Sequence, residues 1–239
     1  MITLYGYAPA FGLPSASPFA IKTDLQLRMS ALPYIYGAGG TPQNGPKGKI
    51  PYIEDKGEKI GDSTFIREHI EQAYGIDLDA GLSAQQRARA WELERMLEDH
   101  LYWALVHERW MNDANFERGP AHFFDALPEA VRDGVRQETR ERVKATLHAQ
   151  GLGRHSPSEI ARLGARSLQA LARAIGEGPY LFGAKPSGSD ATAFAFAVSV
   201  LTPFFAGPLQ EAAAKLPVLK AYSERILHRY YPELAQVAA

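Results

Sequence analysis

Residues 47–66 read KGKIPYIEDKGEKIGDSTFI and contain the strongest structural signal in the chain. Pro51 heads an apolar run, where a proline can begin a strand but cannot donate a hydrogen bond in its middle. Lys56-Gly57-Glu58 separates this run from Lys59-Ile60 and is typical of a hairpin turn. Asp62-Ser63 precedes a helically periodic apolar segment as an N-cap. The stretch therefore predicts a strand, a tight turn, a second strand and a helix.

The residues before this stretch extend the pattern to a mixed α/β unit. Segment 2–7 is rich in β-branched and aromatic residues and predicts the first strand. Ser17-Pro18-Phe19 predicts a helix start, because serine caps helices and proline is tolerated at the first helical position. This helix runs to about Ala31, and 33–36 forms the second strand. The order β-α-β then β-β-α predicts a thioredoxin-like α/β domain over residues 1–75.

The composition changes after a short linker at 76–82, because no further strand pattern appears. Ser187 and Asp190 form a capping box, which we interpret as structural, and the nearly all-apolar run behind it predicts a helix buried on every side. We expect an all-α domain over residues 83–239. Its long helical patterns cover 84–112, 128–149, 158–175 and 216–231.

The length, composition and net charge of the chain exclude several classes of function. With 239 residues, 46% of them hydrophobic, the chain is long enough to bury two cores. A net charge of -1 gives no general footprint for nucleic acid or an anionic membrane. The lack of cysteine excludes disulfides, thiolate metal sites and a protein sulfur nucleophile. The start has no signal-peptide pattern and segment 227–239 is short and polar, so we expect a cytoplasmic protein without a membrane anchor.

Gly-Lys-Ile-Pro at 48–51, followed by Asp-Ser-Thr-Phe-Ile at 62–66, resembles the glutathione-binding half of the glutathione transferase family. In that family the proline, here Pro51, is cis. The residue before it, here Ile50, turns its backbone N–H and C=O towards the cysteinyl part of glutathione. The resemblance therefore implies that this chain binds glutathione as a co-substrate.

The same resemblance implies a site for the γ-glutamyl end of glutathione. Asp62 and Ser63 open a helix, where free N–H groups and the positive end of the helix dipole attract a carboxylate. Ser63 adds its hydroxyl. Lys49, with Lys47 and Arg67, could pair with glutathione carboxylates or remain a solvated surface charge.

Ser17 is the first candidate for activating the glutathione sulfur. Ser-Pro-Phe at 17–19 resembles the Cys-Pro-aromatic motif of transferases and glutaredoxins, with serine in place of cysteine. A hydroxyl there can donate to the sulfur, and lowering the thiol pKa from about 8.5 by about one to two units makes thiolate abundant. Tyr7, near the end of the first strand, is the second candidate, and Ser15 and Tyr5 are further alternatives. A serine that only caps the helix is the alternative to catalysis.

Aromatic and histidine side chains recur with helical spacing early in the predicted second domain. His100, Trp103, His107 and Trp110 are three or four residues apart, which predicts one shared helix face. The resemblance implies that this helix borders the electrophile pocket, so we interpret His100, Trp103 and His107 as its lining. Internal packing is the alternative. Two histidines without a third ligand do not make a metal site, so we predict no bound metal.

Segments 97–105 and 151–155, together with 17–19 and Lys22, resemble the metaxin and failed-axon-connections branch of the family. Two functional interpretations follow. The first is a glutathione transferase that conjugates glutathione to a hydrophobic electrophile. The second is a non-catalytic binding or scaffold protein of the same fold. The resemblance also implies a homodimer in which the first domain of one subunit packs on the helices of the other.

Overall fold

A four-stranded mixed sheet forms the core of the N-terminal part. A computed structural model describes residues 1–235, and 236–239, the end of the predicted helical domain and of the polar C-terminal segment, lie outside the described residues. The strand order is β2-β1-β3-β4, with β2 parallel to β1 and the other pairs antiparallel. The strands are β1 (Ile2–Tyr5), β2 (Tyr34–Tyr36), β3 (Tyr52–Asp55) and β4 (Glu58–Gly61).

Two helices pack on this sheet and complete the predicted thioredoxin-like order. Helix α1 (Pro18–Ser30) follows β1, and helix α2 (Ser63–Tyr74) follows β4. The Asp62 side chain caps α2 by accepting a hydrogen bond from the Thr64 N–H at 2.9 Å. Gly75 ends α2 in the left-handed conformation that glycine adopts without strain. The predicted α/β fold is confirmed, and its small core contains Ile2, Leu4, Leu27, Ile53, Ile66 and Ile70.

The remainder of the described chain is helical, as the sequence predicts. The predicted helix over 84–112 is divided, because a π-helical turn at Leu97–Leu101 separates α3 from α4. Short helices that the periodicity did not indicate, among them α5 and α9, lie between the long ones. The helices are α3 (Ala84–Met96), α4 (Tyr102–Met111), α5 (Asp113–Arg118), α6 (Glu129–Gln150), α7 (Pro157–Ile175), α8 (Gly188–Leu201), α9 (Pro208–Ala214), α10 (Pro217–Tyr230) and α11 (Pro232–Ala235).

Helix α8 is the central helix and joins the two parts of the molecule. Its residues are almost all buried, as the apolar run predicts, and it packs closely against α1. Ile21 and Leu25 of α1 belong to the same apolar core as Phe194 and Phe196 of α8. Helix α1 therefore belongs to this shared core and, through Leu27, to the separate core of the sheet, and the domain limits 1–75, 76–82 and 83–239 stay predictions.

Candidate functional site

A cleft of about 610 Å³ lies between the N-terminal part and the helices around α4. Its N-terminal wall contains Tyr7, Ser17, Lys49, Ile50 and Asp62. These are five of the residues that the sequence predicts for activating or binding glutathione. Because they come from four separate segments of the chain, the fold is what brings them together.

The glutathione-binding candidates surround the start of β3 and the start of α2. The Ile50–Pro51 peptide bond is cis, as in the family that the sequence resembles. Pro51 follows Ile50 directly and is buried, and Ser63 is the buried first residue of α2, next to Asp62. The cleft therefore reaches Asp62 at the start of α2, where the helix dipole favours a carboxylate, whereas Ser63 lies behind Asp62 and does not line the cleft.

Ser17 lies at the cleft wall in front of α1 and does not cap that helix with its side chain. The neighbouring Ser15 secures this turn instead, because its Oγ donates to the Tyr7 carbonyl at 2.9 Å and accepts from the Ser17 N–H at 3.4 Å. Within residues 1–235, no group hydrogen-bonds to the Ser17 hydroxyl. The hydroxyl is thus available to a ligand in the cleft.

Aromatic side chains from both parts of the molecule line the rest of the cleft. Tyr7 stacks on Phe123 with ring centroids 5.7 Å apart, and Phe11 lies 5.9 Å from the same ring. Trp103 and Trp110 of α4 complete this wall. Such a surface suits an apolar molecule of modest size.

The predicted stripe on α4 does not form one surface. Trp103 lines the cleft, but His100 points to α7, where its Nδ1 lies 2.9 Å from Ser167 Oγ. His107 lines a separate cavity beside α6, α7 and α9. Since α4 is enclosed by helices on several sides and the π-helical turn changes the register before it, equal spacing does not give equal surroundings. Only Trp103 of the three predicted pocket residues borders the cleft.

Two positively charged candidates have other partners. The Arg67 guanidinium forms ion pairs with Glu71, Asp79 and Glu94, of which Asp79 is the nearest at 2.7 Å. The Lys47 ammonium lies 3.7 Å from the centre of the Phe65 ring. Arg67 is therefore part of an ion-pair network between α2, the linker and α3.

Sequence reasoning missed Arg109, a buried charge at the cleft. Its Nη1 and Nη2 donate to the carbonyls of Ala16 and Ser199 at 2.9 and 2.8 Å. Burial lowers the pKa of Arg109 to about 10. The only signal in the sequence is a charged residue next to the aromatic stripe of α4, and charge alone does not indicate burial.

The described part of the chain has neither a metal cluster nor a membrane span. Residues 1–235 contain no group of three or more histidine, aspartate or glutamate side chains that could hold a metal ion. None of the helices up to residue 235 is both long and apolar enough to cross a bilayer.

The fold and the cleft define a protein of glutathione transferase architecture, and the comparisons agree. The β-etherase LigF of Sphingobium sp. strain SYK-6 superposes with a TM-score of 0.70 at 16% identity, covering 98% of both chains. A Methylobacterium radiotolerans glutathione S-transferase in complex with glutathione sulfonate gives 0.62 at 18% identity, covering 95% of this chain and 91% of its own. These likenesses confirm the fold.

The sequence matches two family models, glutathione S-transferase N-terminal domain over residues 18–115 and C-terminal domain over 164–226. The isoprene-epoxide glutathione S-transferase of Rhodococcus sp. (strain AD45) is 35% identical, covering 81% of this chain and 84% of that protein. This chain belongs to the glutathione S-transferase family.

The predicted likeness to the metaxin branch is also confirmed. Failed axon connections of Drosophila melanogaster is 30% identical, covering 99% of this chain and 60% of that protein. Human metaxin-2 is 23% identical, covering 92% of this chain and 83% of its own length. The relatives thus include an enzyme and proteins whose names state no transferase activity.

Proposed function

We propose that this protein binds glutathione in the cleft, stabilises its thiolate and conjugates it to a small hydrophobic electrophile. The observation that carries the proposal is the uncommitted Ser17 hydroxyl at the start of α1, in the same cleft as Ile50 and Asp62. The glutathione transferase at 35% identity supports the same activity.

In this proposal three parts of glutathione bind to different segments of the protein. The γ-glutamyl carboxylate binds at the start of α2, next to Asp62 and Ser63, where the helix dipole favours negative charge. The cysteinyl backbone pairs with Ile50. The sulfur then lies at the start of α1, where Ser17 donates a hydrogen bond and the helix dipole stabilises negative charge.

The electrophile occupies the aromatic side of the cleft. Phe11, Trp103, Trp110 and Phe123 exclude water from an apolar molecule and leave the thiolate poorly solvated, which raises its reactivity. A small epoxide is the substrate class that the Rhodococcus relative suggests, because that protein is named for isoprene epoxide.

A non-catalytic binding or scaffold protein is the second candidate function. It is favoured by the likeness to Failed axon connections, which extends over 99% of this chain. In that case the same cleft binds a peptide, a lipid or no ligand, and glutathione has no measurable affinity.

Calorimetric titration with glutathione separates the two candidates. We expect glutathione to bind the wild-type protein. Binding to Ser63→Ala should be at least about tenfold weaker, because the lost hydroxyl donates a hydrogen bond to the charged γ-glutamyl carboxylate. Ser158→Ala, an exposed serine at the start of α7, is the matched control and should bind like the wild type. No heat of binding with the wild-type protein would contradict the transferase proposal.

We also propose a homodimer in the cytoplasm. Phe65 on α2 and Trp91 on α3 are about half exposed, and exposed large apolar side chains are common at subunit interfaces. Light scattering should give twice the chain mass of 26.3 kDa. A mass of one chain would contradict the dimer and leave the glutathione site unaffected.

A further inference from the structure

A second cavity of about 610 Å³ lies on a different face of α4 from the cleft. It is enclosed by α4, α6, α7 and α9 and the turns next to them, and none of its lining residues lines the cleft. A cavity of this volume is large enough for a small organic molecule. The proposed transferase reaction uses no residue of this second cavity.

The floor of the second cavity is apolar, and each of the four helices contributes to it. Its four buried side chains are Ala104, Leu147, Ile160 and Leu209. Met111 and Ala161 add apolar surface that is partly exposed. An apolar ring or chain that enters the cavity would therefore leave water and contact carbon atoms.

Glu108 places a buried carboxylate beside this floor. It is 8% exposed, and its two oxygens accept the N–H groups of Leu209 and Gln210 at 2.8 and 3.1 Å. Within residues 1–235, no side-chain cation contacts this carboxylate. Burial raises the pKa of Glu108, and the two N–H groups and the charge of Arg109 oppose that rise. Because each carboxylate oxygen has two lone pairs, Glu108 can still accept a hydrogen bond from a ligand.

The other charged side chains of the second cavity largely neutralise one another. The Arg140 guanidinium pairs with Asp113. Lys144 and Glu141 are exposed, with 3.8 Å between Nζ and Oε2. With Glu108 ionised, the lining therefore has three carboxylates and two cations. The excess charge is negative, and it belongs to the buried carboxylate.

We propose that the second cavity binds a small hydrophobic amine, whose apolar part lies on the floor and whose ammonium group donates to Glu108. Opposite charges attract more strongly in a partly enclosed site than in bulk water, and a charge-assisted hydrogen bond adds to the attraction. His107 also lines this cavity, and burial lowers its pKa, so its imidazole is neutral at pH 7 and does not repel the ammonium group. The inference does not depend on the proposed function, since the two sites share no residue.

Three probes with the same apolar part test the preference for positive charge: phenylbutylamine, phenylbutanol and phenylbutyrate. Calorimetric titration at neutral pH should give a Kd for the amine at least about tenfold lower than for the alcohol, because only the amine forms a charge-assisted hydrogen bond. The butyrate should bind more weakly than the alcohol. Glu108→Gln should reduce the preference for the amine over the alcohol to less than about threefold, because it removes the charge and keeps the shape.

Filling the cavity tests where the amine binds. Ala161→Trp enlarges a partly exposed side chain of the lining on α7 and should weaken binding of phenylbutylamine at least about tenfold, because the indole occupies the space of the phenyl ring. Ala149→Trp makes the same change at an exposed position of α6 outside the lining. This matched control should keep the wild-type Kd.

Equal affinity of the wild-type protein for the amine and the alcohol, or no binding of the amine, would overturn the inference. Unchanged amine binding by Ala161→Trp would do the same. If Glu108→Gln does not fold, because Glu108 also caps α9, the three probes and Ala161→Trp decide. Saturating glutathione should leave the amine bound, and displacement would refute a second site. A protein that does not bind glutathione would refute the proposed function, while the amine titrations would still test this cavity.

Discussion

At the scale of single residues, the buried cations differ in what balances them. Lys22 is completely buried, and its Nζ lies 2.6 Å from Glu98 and 3.4 Å from Glu94. Within residues 1–235, Arg109 has only neutral carbonyl partners. Lys22 therefore serves the contact between α1 and α3, whereas the charge of Arg109 remains uncompensated in the cleft.

Replacing Lys22 tests its structural role. Lys22→Met keeps much of the volume but leaves Glu94 and Glu98 buried without this partner, so the free energy of unfolding should fall by about 3–5 kcal/mol. Lys220→Met is the matched control, because its bridge to Glu224 is 3.8 Å long and exposed, and it should cost less than about 1 kcal/mol. Urea unfolding measures both. Equal effects would contradict this account.

His107 gives a pH-dependent prediction. Burial lowers the pKa of His107, so the unfolded chain binds a proton more tightly than the folded one. Its contribution to stability is complete above the unfolded pKa of about 6.5 and is lost as pH falls from there through the folded pKa. The free energy of unfolding of His107→Gln should therefore decrease less steeply than that of the wild type as the pH falls through this range. His155→Gln, at an exposed position, is the control and should keep the wild-type dependence of the free energy of unfolding on pH. The same dependence in His107→Gln would contradict the prediction.

At this scale, cleft residues that belong to a local backbone motif are easier to predict than cleft residues placed by distant contacts. Ser17, Ile50 and Asp62 could be found because each belongs to a local backbone motif, and all three border the cleft. Arg109 could not, because its partners, Ala16 in the loop before α1 and Ser199 in α8, are distant along the chain. His100 and His107 show the converse, since regular spacing alone does not reveal which neighbour a helix face meets.

At the scale of elements, two capping boxes differ in burial. The Ser83–Gln86 box at the start of α3 is exposed. The Asp190 carboxylate at the start of α8 is buried and accepts hydrogen bonds from the N–H groups of Leu181 and Ser187 at 3.0 and 2.7 Å. The Tyr222 hydroxyl donates to it at 2.8 Å. One box only starts a helix, whereas the other also joins α8 to α10.

Truncation of each box should show this difference. Asp190→Ala leaves several buried donors without an acceptor and should lower the free energy of unfolding by about 3–5 kcal/mol. Ser83→Ala removes one exposed cap and should cost about 1 kcal/mol. Thermal and urea unfolding provide the two values. Similar costs would mean that the buried box does no more than start its helix.

Long helices could be predicted from the sequence, but the short ones could not. Helices α6, α7 and α10 have the expected periodicity and approximate limits. Helix α9 begins where Glu108, about a hundred residues earlier, accepts the N–H of Leu209 at 2.8 Å. Because a local pattern contains no information about so distant a cap, sequence reasoning leaves such a helix out.

At the scale of the whole molecule, the shared core predicts one unfolding transition. Trp91, Trp103 and Trp110 are the only tryptophans in the chain, and all three report on the helical part. Amide exchange in β1 and β3 reports on the sheet. Buried side chains of α1 and α8 belong to the same core. The tryptophan fluorescence and the exchange of the sheet amides should therefore show the same urea midpoint. Two separated midpoints would contradict a shared core.

The overall architecture was the most predictable feature, because strand, hairpin and capping patterns all indicated the same fold. The relation between the two parts was less predictable. The paired charges of Lys22, Arg67 and Glu94 join segments that lie far apart in the sequence. A pattern within one segment cannot indicate such pairs.

The pKa of the thiol in bound glutathione tests the central claim most directly. Thiolate absorbance should give a wild-type pKa about one to two units below the free value of about 8.5. Ser17→Ala should raise the pKa most of the way back to the free value, because it removes the donor to the sulfur. Tyr7→Phe should leave the wild-type pKa nearly unchanged. An unshifted thiol pKa in the wild-type complex would contradict the assignment of Ser17. So would a pKa that returns to the free value with Tyr7→Phe but not with Ser17→Ala.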